Sequence, residues 1–315
     1  MKKAGRSQLR AGAAKVDISP AKGIQIAGDI GRYRPCGGIT DPIYARALVL
    51  ERNGKRYCIL STEVLIIDTP WVDEIRRRIQ AKFKIAPDAV VVHATQNHAA
   101  PSIGNHFCND TCTLIPDPYA YLRGGDARYN EPALAGIMKA GGKALANLEP
   151  VTVSVGRAID GRVASNRRFV MRDGTSECQP GPCNPDILHV EGPMDPEVSV
   201  VTFTNAKRRV VSALMHYTSH PCNGFWGDKV LADWPGVWSQ DMETFFGKQC
   251  TALVINGLCG NIITFNYTNP DQNSDEVIGD YRRYGRLLTQ SAKRALKNMK
   301  PVKASSFGWT RRFVQ

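Results

Sequence analysis

Three apolar strands in this sequence run straight into polar turns, and that pattern limits the folds open to it. The first is Val90-Val91-Val92-His93-Ala94, followed by Thr95-Gln96-Asn97-His98-Ala99-Ala100-Pro101. Three successive β-branched residues crowd a helix and suit a buried strand. The second, Val210–Met215, breaks into His216-Tyr217-Thr218-Ser219-His220-Pro221. The third, Thr251–Ile255, ends in Asn256-Gly257-Leu258-Cys259-Gly260-Asn261. Such strands carry acid–base or metal-ligating side chains to the carboxyl edge of a sheet, where open α/β sheets place their ligands. For the first stretch alone, an ordinary polar loop with a capping His98 is the simpler reading. The recurrence of the pattern moves it toward a site.

Around these runs the sequence predicts alternating strands and helices. Leu9–Pro20 reads as a strand, and Gly23–Gly38 as a long glycine- and arginine-rich loop. Ile43–Glu51 and Tyr57–Leu65 form a hairpin turned at Asn53-Gly54. Asp68 or Thr69 caps a helix that has Pro70 in its first turn and Trp71, Ile75, Ile79 and Phe83 on one face. Ser102–Asn130 is irregular, either a lid over a site or a plain insertion. Further helices are expected over Glu131–Leu148, from Asp233 as N-cap to Phe246, and over Val277–Met299, whose outer face is basic. Further strands are expected at Val151–Val155, Val198–Phe203 with Val210–Tyr217, and from Ala304 toward Phe313. Ser165–Arg168 reads as loop. The expected fold is α/β, with α+β as the alternative: a mixed sheet flanked by helices, long irregular loops over one edge. Residues 1–315 read as a single domain. It is expected to be incomplete at its C-terminus, since it stops one strand after a long helix. No internal repeat is visible.

Hydrophobic residues make up 43% of the chain and charged residues 22%, an ordinary globular balance. No apolar run reaches membrane-span length. No apolar segment follows the basic N-terminus either, so a cytoplasmic location is the default expectation. The net charge of +12 suits contact with an anionic membrane surface. Nucleic acid is not expected as a partner, because no basic run is interleaved with aromatics. The nine cysteines are scattered, and free thiols are the simpler reading. Local bridges within Cys108–Cys112 or Cys178–Cys183 are the alternative.

The chemistry concentrates at the strand ends. Two neutral imidazoles, His98 and His220, suit Zn²⁺ with a position left open for water. Asp233, or else Glu63 or Asp195, is a candidate base or orienting group. His93 reads as a packed histidine, His106 and His189 as structural or exposed, and His216 as a supporting partner. There is no H-E-x-x-H, G-x-S-x-G, P-loop or dinucleotide fingerprint.

Several segments together resemble the N-terminal catalytic domain of the neutral/alkaline, non-lysosomal ceramidases. They are Ala11–Pro20, Gly38–Leu50, Ala94–Pro101, Asn166-Arg167-Arg168, Gly192–Val198, Ser219-His220-Pro221, Ala232–Gly236 and Asn256–Asn261, in collinear order over nearly the whole chain. The resemblance implies a zinc-dependent amidohydrolase cleaving the amide of an N-acyl lipid-like substrate, in a family often secreted. His98 and His220 match zinc-ligand positions. Gln96 stands where relatives carry a further histidine, as a weak ligand or an orienter of water. The other family ligands, a Glu and a Tyr, match positions beyond residue 315. Gly257 stands where relatives carry a serine. The implied catalytic residues are His98, Asp233 and Asn261, and those binding substrate are Asn166, Arg167 and Gly257. The alternative is a non-catalytic ceramidase-like domain that has lost its metal and binds a lipid or carbohydrate.

Overall fold

The computed structural model describes residues 8–29, 31–108, 112–272, 276, 279–303 and 306–312. The chain begins with strand β1 (Arg10–Asp17) and the hairpin β2 (Tyr44–Arg52) and β3 (Lys55–Thr62). Asn53 and Gly54 turn this hairpin with φ of 52° and 74°. Two positive φ values are what a two-residue turn between twisted strands requires. Helix α1 (Thr69–Phe83), capped by the Asp68 side chain, crosses to β4 (Val90–Ala94), which runs parallel to β3. Helix α2 (Ala127–Ala146) closes the first half.

The second half repeats this order. Strand β5 (Glu149–Ile159) is followed by the hairpin β6 (Glu197–Asn205) and β7 (Val210–Tyr217). Helix α3 (Asp233–Phe246) crosses to β8 (Thr251–Asn256), parallel to β7, and helix α4 (Tyr281–Lys297) follows. The strands form one mixed sheet in the order β8-β7-β6-β5-β1-β2-β3-β4, with Lys300–Pro301 added on β5. The halves meet where β1 pairs with β5, at Arg10↔Pro150 and Ala11↔Glu149. A sequence without a visible repeat thus folds as two copies of a β-β-β-α-β-α unit.

The sheet bends so that its halves face each other, giving helix–sheet–sheet–helix layers. Strand alternation shows why. On β2, Ala45, Ala47 and Val49 face a core shared with α1 and α2, while Leu48 and Leu50 face a middle core. On β8, Ala252 and Val254 face a core shared with α3 and α4, while Leu253 joins the middle one. Strands covered on both faces read as near-continuous apolar runs, which is what 210–217 and 251–255 are; 90–94, expected to be buried, is an edge strand with Val91 exposed. The α/β expectation is met.

Several expected boundaries move. Helix α2 starts a turn earlier than Glu131, because Asp126 accepts from the Arg128 N–H at 3.1 Å. Strand β5 extends to Ile159. Ser165–Asn166 and Arg168–Met171 are short strands rather than loop, the first paired with Ile262–Ile263. Residues 306–312 have no regular structure, so the strand expected from Ala304 does not form there. Val277 and Ile278, expected at the start of the last helix, lie outside the described residues. Asp233 is the first residue of α3, with a left-handed φ of 51°, and does not cap it.

Candidate functional site

Strand β4 ends at Ala94, and Gln96 turns the chain with a φ of 62°. Asn97, fully buried, fastens the turn: its Nδ2 donates to Leu231 O at 2.7 Å and its Oδ1 accepts from Ala99 N at 2.9 Å. The His98 N–H then donates to Pro221 O at 3.0 Å, so the β4 and β7 turns cross here. From the other side, the His220 N–H donates to Ile262 O at 2.9 Å. The two imidazoles meet with Nε2 atoms 2.7 Å apart.

Each ring has its Nδ1 on a backbone carbonyl, His98 on Gly28 at 2.6 Å and His220 on Cys259 at 3.2 Å. A carbonyl accepts only, so each Nδ1 carries the proton and each Nε2 presents a lone pair. Burial, then the neighbouring His220, holds His98 down to about 3; burial holds His220 down to about 4. Both rings are therefore neutral near pH 7. Two lone pairs facing at this distance repel unless a proton or a cation lies between them. That donor arrangement fits a divalent metal, and zinc takes imidazole nitrogen readily. Among the described residues no third His, Cys, Asp or Glu completes a cluster. The Gln96 Oε1 accepts from the Cys259 thiol at 3.4 Å.

The pair floors a cavity of about 380 Å³. Its walls are Phe225, Trp226, Phe265 and Tyr267, with Arg167, Gln179, Pro182 and Cys222. Burial pushes the Cys222 thiol up to about 12, which keeps it uncharged. The described residues of segment 102–130, for which a lid and a plain insertion were both open, contribute no wall. They pack instead on the 23–34 loop, through Tyr33 against Tyr121 at 5.3 Å and Gln25 N on Asp126 at 3.1 Å.

The other expected site residues lie around this centre rather than in it. Asn166 is buried and closes a turn, its Oδ1 accepting from Arg168 N at 3.0 Å. Asn261 and Gly257 line a separate cavity of about 420 Å³ with Asp195, His216 and Thr218. A Cβ on Gly257 would lie 2.4 Å from Thr218 Oγ1 and 2.9 Å from His216 Nε2, so a serine there requires both to move. Asp233 is fully buried, and its carboxylate accepts from the N–H groups of Asn223, Gly224 and Trp234. Burial still lifts it to about 6. Its carboxylate orders the loop that carries Phe225 and Trp226. Glu63 is paired with Arg46 at 2.9 Å.

Three kinds of residue escaped sequence reasoning. Gly28 presses against His98. Arg34, 2% exposed, donates to His98 O at 2.9 Å, Gly224 O at 3.0 Å and Gly227 O at 2.6 Å, tying the turn to the aromatic wall. The aromatic walls come from segments without periodicity. The only available signal was the length of the Gly23–Gly38 loop.

No protein-family model matches the chain. Over 216 residues it is 24% identical to neutral ceramidase of Pseudomonas aeruginosa, covering 67% of this chain and 30% of that protein. Its fold matches the crystal structure of neutral ceramidase from Pseudomonas aeruginosa with a TM-score of 0.73 at 20% identity, over 92% of this chain and 45% of that one. In sequence and in fold the chain is similar to neutral ceramidase. A ceramidase complexed with C2 matches similarly, with a TM-score of 0.72 at 20% identity over 92% and 44% of the two chains. The chain spans less than half the length of the neutral ceramidases it matches.

Proposed function

We propose that this chain hydrolyses the amide of an N-acyl lipid-like substrate, with zinc held by His98 and His220. The observation that carries this is the facing pair of neutral imidazoles at the floor of an aromatic-walled cavity. When bound, zinc supplies Lewis acidity toward a carbonyl and a nucleophilic water near neutral pH. The chain's own residues do the rest. Gly28 O and Cys259 O fix both rings in the tautomer that leaves Nε2 free. Gln96 stands beside Cys259, within the same turn as His98, as an orienting amide. The aromatic walls exclude water and take the acyl chain. Arg167 meets the polar end of the substrate. We assign Asn166, Asp233, Gly257 and Asn261 to the frame that holds these loops in place.

Purified protein incubated with zinc should retain the metal and release fatty acid from an N-acyl amide. His98→Ala and His220→Ala should abolish both. Metal retention and turnover unchanged in both variants would sink this reading.

Among the described residues no third His, Cys, Asp or Glu joins the pair, which favours a second reading, a lipid-binding domain without turnover. Saturable binding of an N-acyl amide, with no cleavage at any zinc concentration, would select it. We also propose transient contact with anionic membrane through the charge of +12 and Trp226, 72% exposed at the cavity wall. Binding to phosphatidylserine vesicles should then weaken steeply as salt rises.

A further inference from the structure

The cavity carries a cation and no anion. None of its lining residues is Asp or Glu. Arg167 is its one fixed charge, since a guanidinium stays protonated. Neighbouring arginines are all engaged. Arg34 is taken by three carbonyls, Arg162 pairs with Asp160 at 2.7 Å, and Arg168 pairs with Glu191. Arg167 alone of these has no side-chain hydrogen bond or ion pair among the described residues, yet its backbone is fixed on both sides. Its N–H donates to Asn261 O at 2.7 Å, and its carbonyl accepts from Gln179 N at 2.8 Å. A rigid backbone delivering an unpaired, half-buried guanidinium into an aromatic cavity is a built anion receptor. Leaving such a charge unmatched is costly, and a planar carboxylate matches its fork in a bidentate pair.

We propose that the substrate class of this cavity is the N-acyl amino acids, whose free carboxylate pairs with Arg167 while the acyl chain lies along Phe225, Trp226, Phe265 and Tyr267. This rests on the hydrolase reading above and narrows it. A ceramide presents a neutral hydroxyl where an N-acyl amino acid presents a carboxylate. The volume of about 380 Å³ lies at the small end of ligand cavities, which favours a medium-length chain. In the reaction, the oxygen of water bonds to the acyl carbon, the C–N bond breaks, and the nitrogen leaves with a proton from that water. The products are a fatty acid and a free amino acid.

The test compares N-decanoylglycine with N-decanoylethanolamine, which differ in carboxylate against hydroxymethyl. Decanoate release is followed with zinc added, and binding is followed separately by calorimetry on zinc-free protein. The ratio of kcat/KM should favour the glycine conjugate by roughly 10- to 100-fold, the worth of a hydrogen-bonded charge. Arg167→Gln should bring that ratio near one, and Arg167→Lys should keep part of it. If Arg167→Gln lowers both substrates by the same factor, Arg167 serves the amide; the inference then fails while the hydrolase reading stands. If neither substrate is cleaved but tight binding of N-decanoylglycine depends on Arg167, Arg167 stands as the carboxylate receptor of a binding cavity and the hydrolase reading fails. Equal wild-type preference in both assays overturns it without any variant.

Discussion

Gly28 supports His98 from below, and its missing side chain is the reason it can. A Cβ at this position would lie 2.2 Å from the His98 carbonyl oxygen and 2.4 Å from its Cα. Gly28→Ala therefore has to push the His98 turn away and lengthen the Nδ1 contact. Disturbing the partner of a metal-binding imidazole costs roughly 10- to 100-fold in affinity. Zinc titration of Gly28→Ala should show a loss in that range, with the far-UV spectrum unchanged. His93, five residues earlier on strand β4, has a different role. It lies beside Ser61 Oγ at 3.4 Å and Asn256, and burial holds it down to about 4. Its folded-state pKa lies below the ordinary histidine value of about 6.5, so the unfolded chain binds the extra proton. Stability from the neutral ring is complete above about pH 6.5 and is lost as pH falls toward 4. Urea unfolding across that window should show His93→Gln losing less stability than the parent, by roughly 2 kcal/mol. At this scale the sequence showed the two histidines, because imidazoles at strand ends are conspicuous. It did not show Gly28 or Arg34, whose importance lies in contacts 70 and 64 residues away along the chain.

Helix α3 is tied to the first half by a buried ionic link rather than by apolar contact alone. Arg46 on β2, 2% exposed, reaches both Glu63 and Glu243, and donates to Ala252 O at 3.1 Å. Glu243 lies on α3 and also accepts from Lys15 at 2.6 Å and from Ala252 N at 3.1 Å. Removing the cation would leave the buried Glu63 carboxylate without a cationic partner and Glu243 with Lys15 alone, a change that costs about 3–5 kcal/mol. Arg46→Ala should lower the urea midpoint by a corresponding amount. A midpoint within error of the parent would show that the link contributes nothing. Strands and helices were legible because their apolar periodicity and turn residues are local. Helix α2 began early because Asp126 caps it, a signal that the irregular stretch before it concealed. The pairing of Ser165–Asn166 with Ile262–Ile263 was hidden for the opposite reason. Two residues carry no periodicity, and their partner lies about a hundred positions away.

Across the whole molecule, the nine thiols divide by depth. Cys178 and Cys183 are exposed, whereas Cys36, Cys58, Cys250 and Cys259 are buried. Burial alone pushes Cys58 up to about 12. Only the thiolate reacts, so a disulfide reagent at neutral pH should label Cys178 and Cys183 first. Cys58 should respond only after denaturation. Peptide mapping of the labelled protein checks the order, and early labelling of Cys58 would contradict the folded arrangement. The doubled β-β-β-α-β-α plan was invisible in the sequence because the halves share element order and not residues. That plan bears on when the site can exist. His98 belongs to the first half and His220 to the second, with a separation of 122 residues. During synthesis the first half can complete its own sheet and helices while His220 is still unmade. The imidazole pair is therefore a late product of folding, assembled only when the second sheet closes on the first. A metal that needs both rings cannot guide the first half; it can only seal the joint between two halves already formed.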